Sequence, residues 1–326
     1  MLMLAGIDLA WQSEKNPSAI SYGELDGNLL SVEATFSGLY GSEAIVDEIL
    51  NINDLRGIAI DAPLIINNIG GMRQCEKNVS SAYASKSAGA FPSNLSLYPN
   101  PKSVQLSNQF KDLAFHHLHG ECWQIECYPH PSIIEIFDLE ERLKYKKGII
   151  ADRKDGQKRL AFLIQKLEES RVLKFNLDGI DQRIFDNDNI DSLKGQALKN
   201  NEDALDSLIC LYVAGLYAIN HDGITFGNDK DGYIWIPRGG CLEQSDILGK
   251  DLKGIQKIEK QTTSVTEDSS TLYCPTCGKP RDDIKEADEE LFKTFYCLNC
   301  GKVLGVGILL SLKVICPRCE MLVVVG

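Results

Sequence analysis

Acidic residues stand at the ends of apolar runs in this chain, and that placement narrows the folds open to it. Asp8 closes the run Leu4-Ala5-Gly6-Ile7, and Asp61 closes Gly57-Ile58-Ala59-Ile60. Glu126 interrupts the apolar run from Trp123 to Cys127, while Asp203 and Asp206 open an apolar helix expected to start at Ala204. An ionised carboxylate at the tip of a buried strand is costly unless something positive satisfies it. Where several such tips converge, the usual partner is a divalent cation and the usual chemistry is phosphoryl transfer.

The elements between these acids have a readable order. Met3 to Asp8, Ser18 to Leu25 and Leu29 to Thr35 read as a strand meander with a turn at Asp26-Gly27. Ser42 is expected to cap a short helix through Ile45 and Ile49 that leads into the strand ending at Asp61. Residues 64 to 120 read as an insertion. It holds a helix over Arg73 to Lys86 and a second helix through Leu106, Phe110, Leu113 and Phe115. A fifth strand, Trp123 to Tyr128, an amphipathic helix over Gln157 to Leu173, and a buried helix from Asp203 to Ile219 follow. Three antiparallel strands, a helix, two further strands and a closing helix predict an α/β architecture, an RNase H-like mixed sheet flanked by helices. This domain is expected over residues 1–240, with a polar linker over 241–272 and a small cysteine-rich ribbon over 273–326.

Two-metal hydrolysis needs carboxylates that hold two Mg²⁺ or Mn²⁺ ions about 4 Å apart, one activating water and the other stabilising the leaving oxygen. Asp8, Asp61 and Asp206 are the expected direct ligands, with Asp203 as an additional or outer one and Glu126 as a further catalytic candidate. Asp203 and Asp206 are three apart, so a helix turns both the same way. Trp11, Arg73 and Lys146 are candidate substrate contacts, Trp11 by stacking and the other two through phosphate. His130 is expected to be a hydrogen-bonded structural residue, and His116, His117 and His119 are read as non-ligands.

Six blocks carry a family resemblance. Gly6-Ile7-Asp8-Leu9-Ala10-Trp11, Ile60-Asp61-Ala62-Pro63-Leu64, Glu126-Cys127-Tyr128-Pro129-His130, Tyr145-Lys146-Lys147-Gly148, Glu202-Asp203-Ala204-Leu205-Asp206 and Tyr233-Ile234-Trp235-Ile236-Pro237 occur in that order. Together they resemble the "domain of unknown function 429" family over about residues 3 to 240. The resemblance implies an RNase H-like nuclease whose metal-binding acids map onto Asp8, Asp61, Asp203 and Asp206.

The chain has 11 cysteines, and Cys274, Cys277, Cys297, Cys300, Cys316 and Cys319 form three Cys-x-x-Cys pairs. In a cytosolic protein that spacing reads as zinc, because each turn supplies two thiolates and two turns close a tetrahedral site. Cys75, Cys122, Cys127, Cys210 and Cys241 are read as buried small apolar residues. Phe295 to Leu304, followed by Val314 to Cys319, resembles the Com protein of Mu-like phages, a zinc-finger translational regulator that binds messenger RNA. The resemblance implies that Lys302, Lys313 and Arg318 contact RNA. It leaves Cys274 and Cys277 outside the unit, either to complete a site between two chains of a homodimer or to belong to a degenerate second finger.

A formal net charge of −12 argues against broad coating of nucleic acid, but not against a nuclease whose metal site is itself acidic. Met1-Leu2-Met3-Leu4 is too short an apolar run for a signal peptide or a membrane span, so a cytoplasmic protein with no membrane partner is expected. The leading expectation is a metal-dependent nuclease acting on RNA or DNA and targeted by the zinc ribbon. A non-catalytic RNA-binding regulator is the second reading, and an ATP-dependent phosphotransferase of related fold the third. Against the third, Asp8 is followed by Leu9-Ala10-Trp11 and not by a Gly-rich phosphate cradle.

Overall fold

The computed structural model describes residues 1–12 and 15–242, together with the strand residues 293–296, 303–307, 312–315 and 322–325. The chain divides into two compact units, Met1–Ile255 and Gln256–Gly326.

The first unit is built on a meander. β1 (Leu2–Asp8), β2 (Ser18–Asp26) and β3 (Leu29–Leu39) pair antiparallel, and Gly27 takes φ +58° in the turn between β2 and β3. Helix α1 (Gly41–Asn51) then returns the chain to β4 (Leu55–Asp61), which lies parallel to β1. After Asp61 come α2 (Gln74–Tyr83) and α3 (Lys102–Asp112), the two-residue β5 (His116–His117), β6 (Trp123–Glu126) and α4 (Pro129–Ile136). Next are α5 (Ile150–Lys166), β7 (Lys174–Asn176), α6 (Asn187–Ser192), α7 (Gly195–Ala218), and the hairpin of β8 (Gly223–Asn228) with β9 (Gly232–Pro237).

The seven-stranded sheet runs β5-β6-β4-β1-β2-β3-β7, with β6 parallel to β4. An antiparallel meander whose first strand pairs parallel with β4, beyond which β6 and β5 continue parallel, is the RNase H-like arrangement, and the mixed sheet carries helices on both faces. One face packs Leu4, Ala59 and Ile125 against α7, and the other packs Ala5, Ile7, Ile58 and Ile60 against α1 and α3. Helix α7 is apolar almost all round from Ala204 to Leu216 and buried over that span, as an interior helix must be.

One contact fixes how closely α7 approaches. A Cβ on Gly6 would lie 1.9 Å from the backbone nitrogen of Leu211 and 2.4 Å from the Ser207 carbonyl oxygen. Only glycine admits the helix backbone there. Ser207 Oγ also hydrogen-bonds Ser21 Oγ at 2.7 Å, tying the helix to β2.

Several expectations shift. Helix α7 begins at Gly195, so Asp203 and Asp206 sit inside it and not at its start. The polar residues Gln196, Asn200 and Asn201 masked its first two turns, although they are compatible with helix. The amphipathic helix expected over Gln157 to Leu173 starts at Ile150, seven residues earlier, and becomes 3₁₀ at Leu167–Glu169. Ser42 lies within α1 and does not cap it; Tyr40 precedes the helix with extended backbone and no side-chain cap. The second insertion helix ends at Asp112, where Ala114 takes φ +69°, leaving Phe115 outside. Among the described residues no helix is long and apolar enough to cross a membrane.

In the second unit β10 (Lys293–Tyr296) pairs antiparallel with β11 (Val303–Gly307), and β12 (Leu312–Ile315) with β13 (Leu322–Val325). The six cysteines expected to bind zinc, with Lys302 and Arg318, lie outside the described residues. Lys313 falls in β12, but its side chain is likewise outside the description.

Candidate active site

Asp8 and Asp61 end β1 and β4 and are direct register partners, so their side chains leave the sheet on the same face. That face is the one α7 covers. The close approach at Gly6 places the Ser207-to-Leu211 segment over the middle of β1. The preceding turn, with Asp203 and Asp206, thereby comes over the strand tips. The expected four-acid cluster is therefore assembled from three elements distant in sequence.

Two lysines accompany the acids. Lys146 Nζ lies 2.8 Å from Asp206 Oδ2 and 3.6 Å from Asp61 Oδ2, and Tyr145 donates its hydroxyl to Asp206 Oδ1 at 2.7 Å. Lys199 Nζ bonds Asp203 Oδ1 and reaches Glu202 Oε1 at 2.8 Å. Lys199 was not foreseen. On a helix it stands one turn before Asp203, a signal hidden by starting the helix too late.

Negative charge exceeds what these cations neutralise. Burial, with Asp8 and Asp206 nearby, pushes Asp61 up to about 7 against the pull of Lys146. Burial also raises Asp206 to about 6 and, together with Asp8, Asp203 to about 9. Burial opposes the charge on Lys146, yet Asp206, Tyr145 and Asp61 hold its ammonium well above the ordinary lysine value. Asp203 Oδ2 is buried without a hydrogen-bond partner and feels the Asp8 carboxylate. Two carboxylates so placed need a proton or a cation between them.

That orphaned oxygen, in an all-oxygen donor set, fits a hard divalent cation such as Mg²⁺ or Mn²⁺. The carboxylates are nevertheless not drawn around one point. Among the described residues no group of three His, Cys, Asp or Glu side chains is gathered as a metal cage, and Lys146 occupies the gap between Asp61 and Asp206.

Glu126 is not brought to this cluster. It pairs in register with Ile60, one residue before Asp61, and so emerges on the opposite face of the sheet. There it accepts two bonds from Arg73, Nη2 to Oε1 at 2.6 Å and Nη1 to Oε2 at 2.9 Å, and a third from the Leu64 amide at 2.9 Å. Arg73 is 3 % exposed and also donates Nε to Glu76 Oε1 at 2.8 Å. Its guanidinium is committed to holding α2 on the strand end and does not present itself to solvent. Alternation along β6 decides the face of Glu126, and sequence alone does not give the register.

Of the remaining candidates, Trp11 lies close to Asp61, lining one cavity with it, and the others lie apart. Trp11 is partly buried and meets Tyr98 edge-on with ring centroids 4.4 Å apart. His130 is buried between Tyr128 and Tyr145, and its Nδ1 has no hydrogen-bond partner, so ring contacts position it where a hydrogen bond was expected. His117 hydrogen-bonds Tyr233 Oη at 3.0 Å and Ser107 Oγ at 3.2 Å. Cys75, Cys127, Cys210 and Cys241 are buried free thiols, and Cys122 is partly exposed.

Comparison with known proteins adds a family. The model described as "Protein of unknown function (DUF429)" matches residues 6–229, and the chain belongs to that family. No curated protein matches the chain. The crystal structure of Fowlpox virus resolvase with substrate Holliday junction DNA is similar with a TM-score of 0.31 and 13 % identity, covering 67 % of this chain and 97 % of that one. At that distance the strand order, and not the likeness, carries the fold.

Proposed function

We propose that this DUF429 member is a metal-dependent nuclease that hydrolyses phosphodiester bonds of nucleic acid. The convergence of Asp8, Asp61, Asp203 and Asp206 at one end of the sheet carries the reading. Asp8, Asp61 and Asp206 would hold a divalent ion, and Asp203, fixed by Lys199, would orient its shell. Bound there, the ion would supply a Lewis acid and an activated water. Tyr145 fixes the rotamer of Asp206 through its hydroxyl. Lys146 holds a positive charge beside Asp61 and Asp206, where a phosphate oxygen of the substrate would arrive. Nucleic acid is the partner, and the cysteine-rich tail would bind zinc and direct the substrate.

Lys146 also favours a second reading. An ammonium that already neutralises Asp61 and Asp206 suits a domain that binds nucleic acid without cutting it. The test is cleavage of labelled single-stranded, double-stranded, hybrid and structured substrates by metal-stripped protein given Mg²⁺ or Mn²⁺. Cleavage by the wild type that disappears in Asp61→Asn supports the nuclease. Binding of RNA with no cleavage of any substrate supports the regulator.

A further inference from the structure

A cavity of about 140 Å³ opens at the edge of the acid cluster, and of the four clustered acids Asp61 lines it. Its wall carries three aromatic residues from separate segments: Trp11 after β1, Phe91 after α2, and Tyr128 after β6. Its floor is polar, formed by the paired Arg73 and Glu126. A protein cavity of about 150 Å³ holds benzene, so the space suits one planar ring.

Phe91 is the informative residue. It is 64 % exposed, unusual for a phenylalanine, and Lys147 Nζ stands 4.7 Å from its ring centroid. The loop bearing it is anchored on both sides. The Ala90 amide donates to Ser80 Oγ at 3.1 Å, and the Ser93 amide donates to buried Glu76 Oε2 at 3.1 Å. With Lys147 over one face, the other face of this ring beside a ring-sized cavity is a stacking platform.

Adjacency selects the ligand. Asp61 lines the cavity, and Lys146 lies 3.6 Å from Asp61. A ring seated against Phe91 and joined to a phosphate through a sugar would carry that phosphate toward the acid cluster. We infer that the cavity beside Asp61 receives the base of one unpaired nucleotide, so that the substrate is a single-stranded or locally unpaired polynucleotide. A base inside a duplex cannot enter without leaving its stack. The inference rests on the nuclease reading for its substrate, but base entry is measured without any cleavage.

The test uses the full-length protein in Ca²⁺ and 12-nucleotide single strands of DNA and RNA, each carrying one 2-aminopurine at successive positions. The expected result is a binding-dependent emission change at one or two adjacent positions. Affinity should fall about tenfold in Phe91→Leu and be retained in Phe91→Tyr. Phe91 is exposed, so the melting temperature of these variants should match the wild type, and circular dichroism checks this. A fully paired duplex should bind more weakly than the single strand. The inference is overturned by unchanged emission at every position, by wild-type affinity in Phe91→Leu, or by a free mononucleotide that binds as tightly as the strand. If the wild type cleaves yet shows no emission change, base entry fails and the nuclease stands. If emission changes without cleavage in Mg²⁺ or Mn²⁺, base entry stands and the nuclease reading fails.

Discussion

Gly6 lies beneath the backbone of Leu211, with room for a hydrogen and none for a methyl group. The contact ties the α7 helix to the first strand two residues before Asp8. It therefore governs both the stability of the core and the position of the acids.

Gly6→Ala should cost about 3 kcal/mol or more, because the clash is with backbone that cannot rotate away. Chemical denaturation gives the value. A loss under about 1 kcal/mol would mean the helix can lift without penalty.

Glu126→Gln should behave as a stability mutation. It leaves the Arg73 guanidinium buried with its bidentate partner removed, at a cost of about 3–5 kcal/mol. Glu126 leaves the sheet on the face opposite Asp61, so Mn²⁺ affinity of the folded variant should stay within about twofold of wild type. Calorimetric titration below its melting temperature decides this, and loss of Mn²⁺ binding would place Glu126 at the metal.

Lys146→Met removes the cation between Asp61 and Asp206. The variant should melt lower than wild type, since buried carboxylates lose their partner. Mg²⁺ should restore it more than it stabilises the wild type, because the ion binds only the folded site. A thermal melt with and without Mg²⁺ reads both effects, and equal Mg²⁺ shifts would show that the lysine does not compete for the cation position.

His117 makes stability depend on acid. Burial, aided by Lys111, lowers it from 6.5 to about 4. Above the unfolded value the ring is neutral in both states and contributes no slope. As pH falls from about 6.5 toward 4, the unfolded chain takes up a proton that the folded chain refuses, so stability falls, by on the order of 2 kcal/mol once solvent screening of this part-solvated ring is allowed for. In His117→Asn that part of the pH slope should vanish, as urea unfolding at a series of pH values would show.

The sequence made some of this legible and hid the rest for physical reasons. Asp8 and Asp61 stood out because a charge ending an apolar strand has few bland explanations, and the meander was readable from its alternation and the Asp26-Gly27 turn. Glu126 looked equivalent, but its face depends on register with β4, which pairing across the sheet decides. Arg73 resembled a substrate contact because only packing reveals that Glu126 and Glu76 consume its donors. Lys199 was missed because the first turns of α7 are polar. Phe91 carried no signal, since nothing local distinguishes an exposed phenylalanine from a core one.

The most direct test is Mn²⁺ binding to metal-stripped protein, followed by electron paramagnetic resonance in wild type, Asp8→Asn, Asp61→Asn and Glu126→Gln. Asp8 and Asp61 are register partners under α7, so either change should weaken binding at least tenfold, while Glu126→Gln leaves it unchanged. Mn²⁺ affinity indifferent to Asp8 and Asp61 would contradict a metal site at the tips of these two strands.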